Sequence, residues 1–344
     1  MFRGPYPKFT TVIFVLLACL SGATQALPFS SLVVFGDSLS DSGNNAIVID
    51  TQIAPPGTPP GTLRTPTPIV SPSFIPSLPY ASNRYSNGPV WVEQFAAKLG
   101  LSALPSVLGG TNYAFGGART GPAGSSFPFS LTDQVQLFLG DSGGVAQGDA
   151  LYIVAGGGNN ARDAVQLALG GGDPTAIITA YVNDIATILT QLSGAGAKEI
   201  LLVNVPNIGL TPAIQSFGPA AAAGASAIAA GMNTALNGAL ASLLPVLPSD
   251  VKVFDFFTAF TQVVGSPGAF GLTDATSACA FSVACLASPD TTLFWDGIHP
   301  TTVGHSLVAD AALAVVIPEP SSLALMLVVG FVFANCRMTW ATRV

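Results

Sequence analysis

The sequence predicts an α/β fold with a central five-stranded parallel sheet, and its hydrophobic patterning is the reason. Five short apolar stretches have the continuous hydrophobicity of strands buried on both faces: residues 32–35, 111–115, 151–155, 200–204 and 251–254. Stretches with helical periodicity separate most of them. Strands that alternate with helices are typical of a parallel sheet covered by helices.

The predicted helices are bounded by ordinary start and stop signals. Pro89 falls in the first turn of one helix, where its missing N–H costs nothing, and Gly100 ends that helix. The stretch "SLTDQVQLFL" is amphipathic, because its apolar residues recur at helical spacing. The predicted helices cover residues 89–100, 130–139, 173–196, 220–244 and 301–316.

The composition allows a substantial core and argues against a nucleic-acid partner. The chain has 344 residues, 49% hydrophobic and 8% charged, a length that suits one large domain or two ordinary ones. Its net charge is −7, and its 11 Lys and Arg residues form no cluster that could neutralise phosphates. With two histidines, no Cys/His group has zinc spacing, so we expect no metal.

An insertion at residues 51–80 is rich in proline and nearly free of charge. Prolines at this density exclude a helix or a central strand. Long structureless loops inside compact domains are usually functional or disordered. We therefore expect either a lid over a binding site or a mobile surface loop.

The N-terminal segment, residues 1–26, has the layout of a secretory signal peptide. Arg3 and Lys8 precede an apolar run, and small residues lead to a cleavage site after Ala26. The alternative is a buried N-terminal helix. In an exported protein, Cys279 and Cys285 are expected to form a disulfide, the alternative being two free thiols.

The C-terminal segment, residues 317–344, contains Pro318-Glu319-Pro320, a short apolar run and a basic tail. The apolar run at 323–334 is about 18 Å long as a helix, which is short for a hydrocarbon core of about 30 Å. The arrangement resembles the PEP-CTERM sorting signal. That resemblance implies an exosortase partner, cleavage near the motif, and transfer to the bacterial envelope or extracellular matrix. The alternative is an uncleaved transmembrane helix that anchors the chain.

Two serines compete for the role of a nucleophile. Ser142 lies in "GDSGG", a signature of trypsin-like proteases, but both histidines follow it, whereas that order requires His and Asp first. The patterning around Ser142 runs helix, turn, strand, the reverse of an α/β-hydrolase elbow. Ser38 instead follows a predicted strand, at the end where open α/β sheets bind ligands. We therefore predict Ser38 as the nucleophile and Ser142 as a turn residue.

The stretch "FWDGIHPT" supplies the partners that a nucleophilic serine needs. Asp296 and His299 lie three residues apart, just before the last predicted helix. An imidazole must accept the serine proton, and a carboxylate must hold the imidazole in the correct tautomer. His305, the other histidine, falls within the helical pattern, so we predict that it packs or caps.

Two further strand ends offer donors for an oxyanion. Gly116 and Gly117 lie in "NYAFGGA", and Asn159 lies in "GGGNNARD". Glycine lets a backbone N–H approach a substrate, and asparagine offers a side-chain N–H. The alternative is that these glycines are turn residues and that Asn159 caps a helix.

The ordered set of motifs resembles the SGNH, or GDSL, hydrolases. "FGDSLSDSGNN", "NYAFGGA", "GGNN" and "DGIHPT" are similar to the first, second, third and fifth blocks of that family. The resemblance implies a flavodoxin-like, three-layer α/β/α domain over residues 27–316. It implies a lipase or esterase that cleaves carboxylic esters through an acyl-enzyme, without cofactor. The implied catalytic residues are Ser38, Asp296 and His299, and the implied oxyanion hole is Ser38, Gly116 and Asn159, with Gly117 as the fallback.

One position departs from the family pattern. The third block usually reads Gly-x-Asn-Asp, and here Asn160 replaces the Asp, so we expect an altered rather than an inactive site. Implied substrates are a lipid, a short-chain ester or an acetylated polysaccharide. Two alternatives to a lipase/esterase stay open. One is an exopolysaccharide O-acetyl esterase, and the other is a non-catalytic matrix or surface binding protein on the same fold.

Overall fold

The structure is a computed structural model that describes residues 29–65, 70–71, 73–122 and 127–317. The predicted signal peptide, residues 1–26, lies outside the described residues. The same is true of residues 318–344, which make up nearly all of the predicted sorting segment. The described residues hold the whole of the predicted sheet and its helices.

A parallel sheet with the strand order β1-β2-β3-β4 forms the centre of the fold. Its strands are β1 (Leu32–Gly36), β2 (Leu151–Ala155), β3 (Glu199–Val203) and β4 (Asp250–Phe254). The pairing is in register, so the last residue of each strand lies beside the last residue of the next. A second, smaller parallel pair is formed by β5 (Asp274–Ala278) and β6 (Thr292–Phe294). The carboxyl ends of the four main strands therefore share one edge.

The five predicted helices correspond to α2, α3, α5, α7 and α10 of the structure, and the other helices have no predicted counterpart. They are α1 (Asn44–Val48), α2 (Trp91–Lys98), α3 (Leu131–Asp141), α4 (Gly158–Leu169), α5 (Thr175–Ala195), α6 (Pro212–Gln215), α7 (Pro219–Leu243), α8 (Phe256–Gly265), α9 (Val283–Ala287) and α10 (Thr302–Val316). A π-helical turn, Ile49–Ile53, continues α1 into the proline-rich insertion. The exclusion of helix from the insertion is therefore wrong for its first three residues, because the prolines begin only at Pro55.

Two hydrophobic cores cover the two faces of the sheet. Along β1, Val33 and Phe35 face the core built with α3, α4, α5 and α7. Leu32 and Val34 face the opposite core, built with α2, α8 and α10. This alternation follows from the two-residue side-chain period of a strand. The three-layer α/β/α architecture predicted from the sequence is confirmed.

The sheet has four strands, not the predicted five, because residues 111–115 do not form a strand. This segment runs beside β1, and the N–H of Tyr113 donates to the Val34 carbonyl at 2.8 Å. Elsewhere along this pairing, two side chains bond to β1 where backbone groups of residues 111–115 would do so in a regular ladder. Gln134 Oε1 accepts the Gly36 N–H at 2.8 Å, and the Thr111 hydroxyl donates to the Leu32 carbonyl at 2.5 Å. The ladder is thereby reduced to a single bridge.

Helix α7 is long and apolar enough, by length and composition, to cross a membrane. The apolar helix Pro219–Val246 has 28 residues and a mean hydropathy of 1.3 over its best window. Its side chains Met232, Leu236 and Leu240 are buried in the hydrophobic core that α7 shares with α5. In this fold α7 is therefore a helix of the outer layer, packed on the sheet.

Candidate active site

Ser38 lies in a tight turn directly after β1. The N–H groups of Ser40 and Asp41 both donate to the Asp37 carbonyl at 3.0 Å, which turns the chain. Gly36 permits this turn, because a Cβ there would lie 2.9 Å from a carbonyl oxygen of β2. Ser38 is thus presented at the carboxyl edge of the sheet, where open α/β sheets bind ligands.

Asp296 and His299 lie in the loop between β6 and α10, and that loop holds both side chains in place. Asp296 Oδ1 accepts the N–H groups of Ile298 and His299, each at 2.8 Å. Asp296 Oδ2 lies 2.7 Å from His299 Nδ1, and His299 Nε2 lies 2.8 Å from Ser38 Oγ. Both loop residues are buried. The structure brings the three predicted residues into one continuous chain of hydrogen bonds.

Tyr80 belongs to the same network, and sequence reasoning missed it. Its hydroxyl donates to Asp296 Oδ2 at 3.0 Å, and its ring packs edge-on against Trp295. Burial and the adjacent carboxylate raise the Tyr80 pKa far above the usual value, so the phenol stays a hydrogen-bond donor. No motif in the proline-rich insertion distinguishes Tyr80 from other aromatic residues, so the sequence carries no signal for this role.

The second half of the proline-rich insertion lies against the site. The N–H of Gly297 donates to the carbonyl of Phe74 at 3.1 Å, which joins the insertion to the loop that carries Asp296 and His299. Ile75 lines the same pocket as Ser38 and His299. The described part of the insertion therefore forms one wall of the pocket. That it opens as a lid, or moves as a surface loop, stays a prediction.

Asn159 lies in the first turn of α4, just beyond β2. Its Nδ2 donates to the Ala118 carbonyl at 2.9 Å, which uses one of its two N–H bonds and leaves the second for a ligand. The backbone N–H of Ser38 has no hydrogen-bond partner within the described residues. Asn159 and Ser38 both line the pocket, so two of the three predicted donors are available there.

Gly116 does not have the predicted position of an oxyanion donor. Its N–H donates to Asp41 Oδ2 at 2.9 Å, and a Cβ at Gly116 would lie 2.1 Å from the Tyr85 ring. The N–H is therefore already used inside the protein, which corrects the prediction. Gly117, the fallback, has a φ of +83°, and in the described part of the chain its N–H has no partner. Gly117 replaces Gly116 as the candidate donor.

Two buried carboxyl groups, of Asp37 and Asp41, flank Ser38. Burial raises the pKa of each to about 6, and backbone N–H donors act in the opposite direction. Asp41 accepts the N–H groups of Gly43 and Asn44 at 2.8 and 2.7 Å, in addition to that of Gly116. Asp41 therefore holds the loop after Ser38 against the segment that contains Gly116.

Asn160, the departure from the family pattern, faces away from the pocket. Its Oδ1 accepts the Thr120 N–H at 3.1 Å, and its Nδ2 donates to Thr120 Oγ1 at 3.2 Å. The Thr120 hydroxyl uses its one hydrogen to donate to Asp184 at 2.8 Å. It can therefore bond to the side chain at position 160 only as an acceptor, which requires a donor there. An ionised Asp offers no donor. Asn160 thus fits its local partners and ties α4 to the Gly117 segment.

Ser142 lies at the C-terminal end of α3, where a turn follows. The order of helix, then turn, then strand β2 is as predicted. Its Oγ is buried and has no hydrogen-bond partner among the described residues. No imidazole therefore activates this serine.

Cys279 and Cys285 are joined by a disulfide. Cys279 packs in a small cluster with Tyr80 and Trp295, next to the loop that carries Asp296. The bond therefore holds a segment that packs against the loop carrying Asp296 and His299. Over the described ranges, no group of three or more His, Cys, Asp or Glu side chains is arranged to hold a metal ion.

His305 lies on the buried face of α10 and outside the site. Its side chain is 1% exposed, and neither ring nitrogen has a hydrogen-bond partner in the part of the chain that the structure describes. Burial, and then the nearby His299, lower the pKa of His305 to about 3. A neutral imidazole packs here at ordinary pH.

Replacing His305 by Met should remove part of the pH dependence of stability. The unfolded chain binds this proton near pH 6.5 but the folded chain only near pH 3, so wild type loses stability as pH falls through that window. Relative to His305→Met, we expect the wild-type free energy of unfolding to drop by about 2 kcal/mol between pH 7 and pH 5. Urea titration at each pH measures this difference. A difference that stays constant with pH would contradict the prediction.

Residues 32–312 match the family described as GDSL-like Lipase/Acylhydrolase. The chain is 27% identical over 362 residues to a phosphatidylcholine-sterol acyltransferase of Aeromonas hydrophila, with 89% of this chain and 96% of the relative covered. It is 28% identical to the esterase EstA of Pseudomonas aeruginosa, with 86% of this chain covered but 48% of the relative, about half its length. An acetylxylan esterase structure from Geobacillus stearothermophilus matches with a TM-score of 0.39 and 15% identity over 82% of this chain and 92% of that chain.

Proposed function

The chain belongs to the GDSL-like lipase/acylhydrolase family and is an ester hydrolase, and from this we propose that Ser38, His299 and Asp296 are its catalytic triad. The observation that carries the proposal is the unbroken hydrogen-bond chain, 2.8 Å from Ser38 Oγ to His299 Nε2 and 2.7 Å from His299 Nδ1 to Asp296. A serine with an oriented base in contact is an activated nucleophile.

In the first step, Ser38 Oγ attacks the ester carbonyl carbon. His299 Nε2 takes the serine proton, while its Nδ1–H donates to Asp296, which stabilises the imidazolium that forms. The tetrahedral intermediate collapses when His299 returns the proton to the alcohol oxygen and the ester C–O bond breaks. The alcohol leaves, and the acyl group stays on Ser38.

The carbonyl oxygen becomes an anion in the intermediate and needs preorganised donors. We assign this role to the Ser38 N–H, the Gly117 N–H and the second N–H of Asn159 Nδ2. Their support is that each is free of internal partners among the described residues. In the second half, water attacks the acyl-enzyme with His299 as base, and the carboxylic acid is released.

The pocket supports an apolar acyl group as the preferred acyl part of the substrate. Its walls beside Ser38 and His299 are mainly hydrophobic. They include Ile75, Ile208, Ile214, Phe256 and Phe260. Apolar walls with a few convergent polar groups are typical of sites for small apolar ligands. One relative is named a phosphatidylcholine-sterol acyltransferase, which also fits a lipid ester.

Export and location are part of the same proposal and rest on the sequence. The signal layout of residues 1–26 supports secretion, and Pro318-Glu319-Pro320 with its apolar run supports sorting to the envelope or matrix by an exosortase. Before that processing, the apolar run provides a membrane contact. A matrix location is also what motivates an O-acetyl esterase acting on exopolysaccharide as the alternative.

An ester chain-length series tests the proposed substrate class. On p-nitrophenyl esters from acetate to palmitate, we expect kcat/KM to rise by about tenfold or more from the acetyl to a medium-chain ester, since each buried CH₂ contributes about 0.8 kcal/mol. The protein lacking both terminal segments is suited to this assay. Preference for the acetyl ester, with acetate release from an acetylated polysaccharide, would instead establish the O-acetyl esterase. Absence of turnover together with absence of a fluorophosphonate adduct at Ser38 would support the other alternative, a non-catalytic binding protein.

A further inference from the structure

Arg162 is a cationic side chain in the pocket that the proposed mechanism does not use. It lies one turn after Asn159 on α4 and lines the same pocket as Ser38 and His299. The other walls of the pocket are mainly apolar. A charge in this position is unexpected for a site that binds an uncharged ester.

Among the arginines that the structure describes, Arg162 alone has no carboxylate hydrogen-bonded to it. Of the four arginines within the described ranges, the other three form ion pairs. These pairs are Arg64–Asp50, Arg84–Glu93 and Arg119–Asp163. The one hydrogen bond of Arg162 runs from Nη1 to Asn159 Oδ1 at 3.2 Å. A guanidinium has five donors, so several stay unused.

No nearby carboxylate forms a hydrogen bond with Arg162 within the described residues. Both oxygens of Asp163, the next residue, accept from Arg119 at 2.8 Å. Asp37 faces the same pocket, but no hydrogen bond joins it to Arg162 in the described part of the chain. Burial, and then the positive charge of Arg119, lower the Arg162 pKa below its usual value. The charges of Asp163, Asp296 and Asp37 act on this pKa in the opposite direction. The guanidinium is therefore only partly hydrated, and within the described residues none of these carboxylates forms a hydrogen bond with it.

We propose that Arg162 binds a phosphate or carboxylate group of the substrate, so that the substrate is an amphiphilic ester with one apolar part and one anionic part. The inference rests on the proposed function and refines its substrate class. A planar guanidinium binds such groups through paired, charge-assisted hydrogen bonds. The apolar walls accept the hydrocarbon part, and Arg162 accepts the anion beside the reacting carbonyl.

A competing role for Arg162 is to orient Asn159 and nothing more. In that case its loss would slow every ester by the same factor, because Asn159 acts on the carbonyl oxygen of any substrate. Anion recognition instead makes the effect depend on substrate charge. The ratio of kcat/KM for an anionic ester to that for its neutral analogue separates the two roles.

The kinetic experiment compares 3-octanoyloxy-4-nitrobenzoate with its neutral methyl ester. In wild type we expect kcat/KM to favour the anionic ester by about tenfold or more, the worth of one charge-assisted hydrogen bond. Arg162→Gln should abolish this preference, mainly through KM, and Arg162→Lys should keep part of it. Lys198→Gln is the matched control, because Lys198 is exposed at the amino end of β3 and carries the same charge. An unchanged preference in Arg162→Gln would overturn the proposal.

A binding measurement keeps the test independent of turnover. By calorimetry, octyl phosphate should bind wild type about tenfold or more tightly than it binds Arg162→Gln, and Lys198→Gln should match wild type. Inorganic phosphate should bind wild type at least about tenfold more weakly than octyl phosphate, because it lacks the apolar part. Equal binding of the two ligands would reject an amphiphile. If octyl phosphate binds as expected but no ester is hydrolysed, the proposed function fails while the anion site stands.

Discussion

Ser38→Ala should lower kcat for p-nitrophenyl butyrate by at least about 10⁴-fold, to near the background rate. Without Oγ no acyl-enzyme can form. His299 Nε2, which lies 2.8 Å from Oγ in the wild type, then has no nucleophile to activate. The residual rate reports only what the oxyanion donors and substrate binding contribute. Steady-state kinetics with active-site titration in the wild type measures the change.

Ser142→Ala is the matched control for the nucleophile. Ser142 is the other serine with a nucleophile-like signature, yet its Oγ has no hydrogen-bond partner in the described residues. We expect wild-type kinetics and no loss of fluorophosphonate labelling in this variant. Comparable activity of Ser38→Ala and wild type, or loss of activity in Ser142→Ala with a normal melting temperature, would reverse the assignment.

Asp296→Asn should lower kcat by about 10⁴-fold while leaving the fold intact. An asparagine amide that faces His299 Nδ1 favours the tautomer in which Nε2 carries the proton, and that nitrogen then cannot accept from Ser38. The amide also loses the charge that stabilises the imidazolium. The Ile298 and His299 N–H groups can still donate to Oδ1. The Tyr80 hydroxyl loses its acceptor at Oδ2 and can instead accept from the new amide.

Asp290→Asn provides the control for the loss of one negative charge. Asp290 is exposed and lies six residues before Asp296, outside the hydrogen-bond chain. Its kcat should stay within about twofold of wild type, as for surface substitutions in general. A drop of less than about tenfold in Asp296→Asn, at wild-type stability, would mean that another group orients His299.

The architecture could be predicted because it follows from the hydrophobic periodicity of the sequence. Continuous apolar runs predict the four strands of the main sheet, and spacing and end signals predict α2, α3, α5, α7 and α10. Helices α4 and α8 also pack on the sheet and have no predicted counterpart. The exception among the predicted strands is residues 111–115, which begin with the polar Thr111 and Asn112 but end in an apolar run. What prevents a strand there is a side-chain contact, Gln134 with the Gly36 backbone. Contacts between residues so far apart leave no periodic signature.

The candidate site was predictable to the extent that its residues lie in short motifs. Ser38, Asp296 and His299 were selected from their order and from the strand that precedes Ser38, and the structure brings them together, although their catalytic roles stay predictions. The choice between Gly116 and Gly117 depended on the hydrogen bond from Gly116 to Asp41. A tertiary contact of this kind leaves no signal in the local sequence. For the same reason, the sequence could not predict the hydrogen bond of Tyr80 to Asp296 or the position of Arg162 in the pocket.

The contact between Ser38 and His299 joins residues 261 positions apart in the sequence. At roughly 5–20 residues per second, a ribosome completes Ser38 on the order of tens of seconds before it adds His299. Throughout that interval the growing chain contains a serine but no base to activate it. With the proposed triad, a chain that ends before the loop carrying His299 lacks the base that activates Ser38. Hydrolytic activity is then acquired only once that loop has been synthesised and has folded against Ser38.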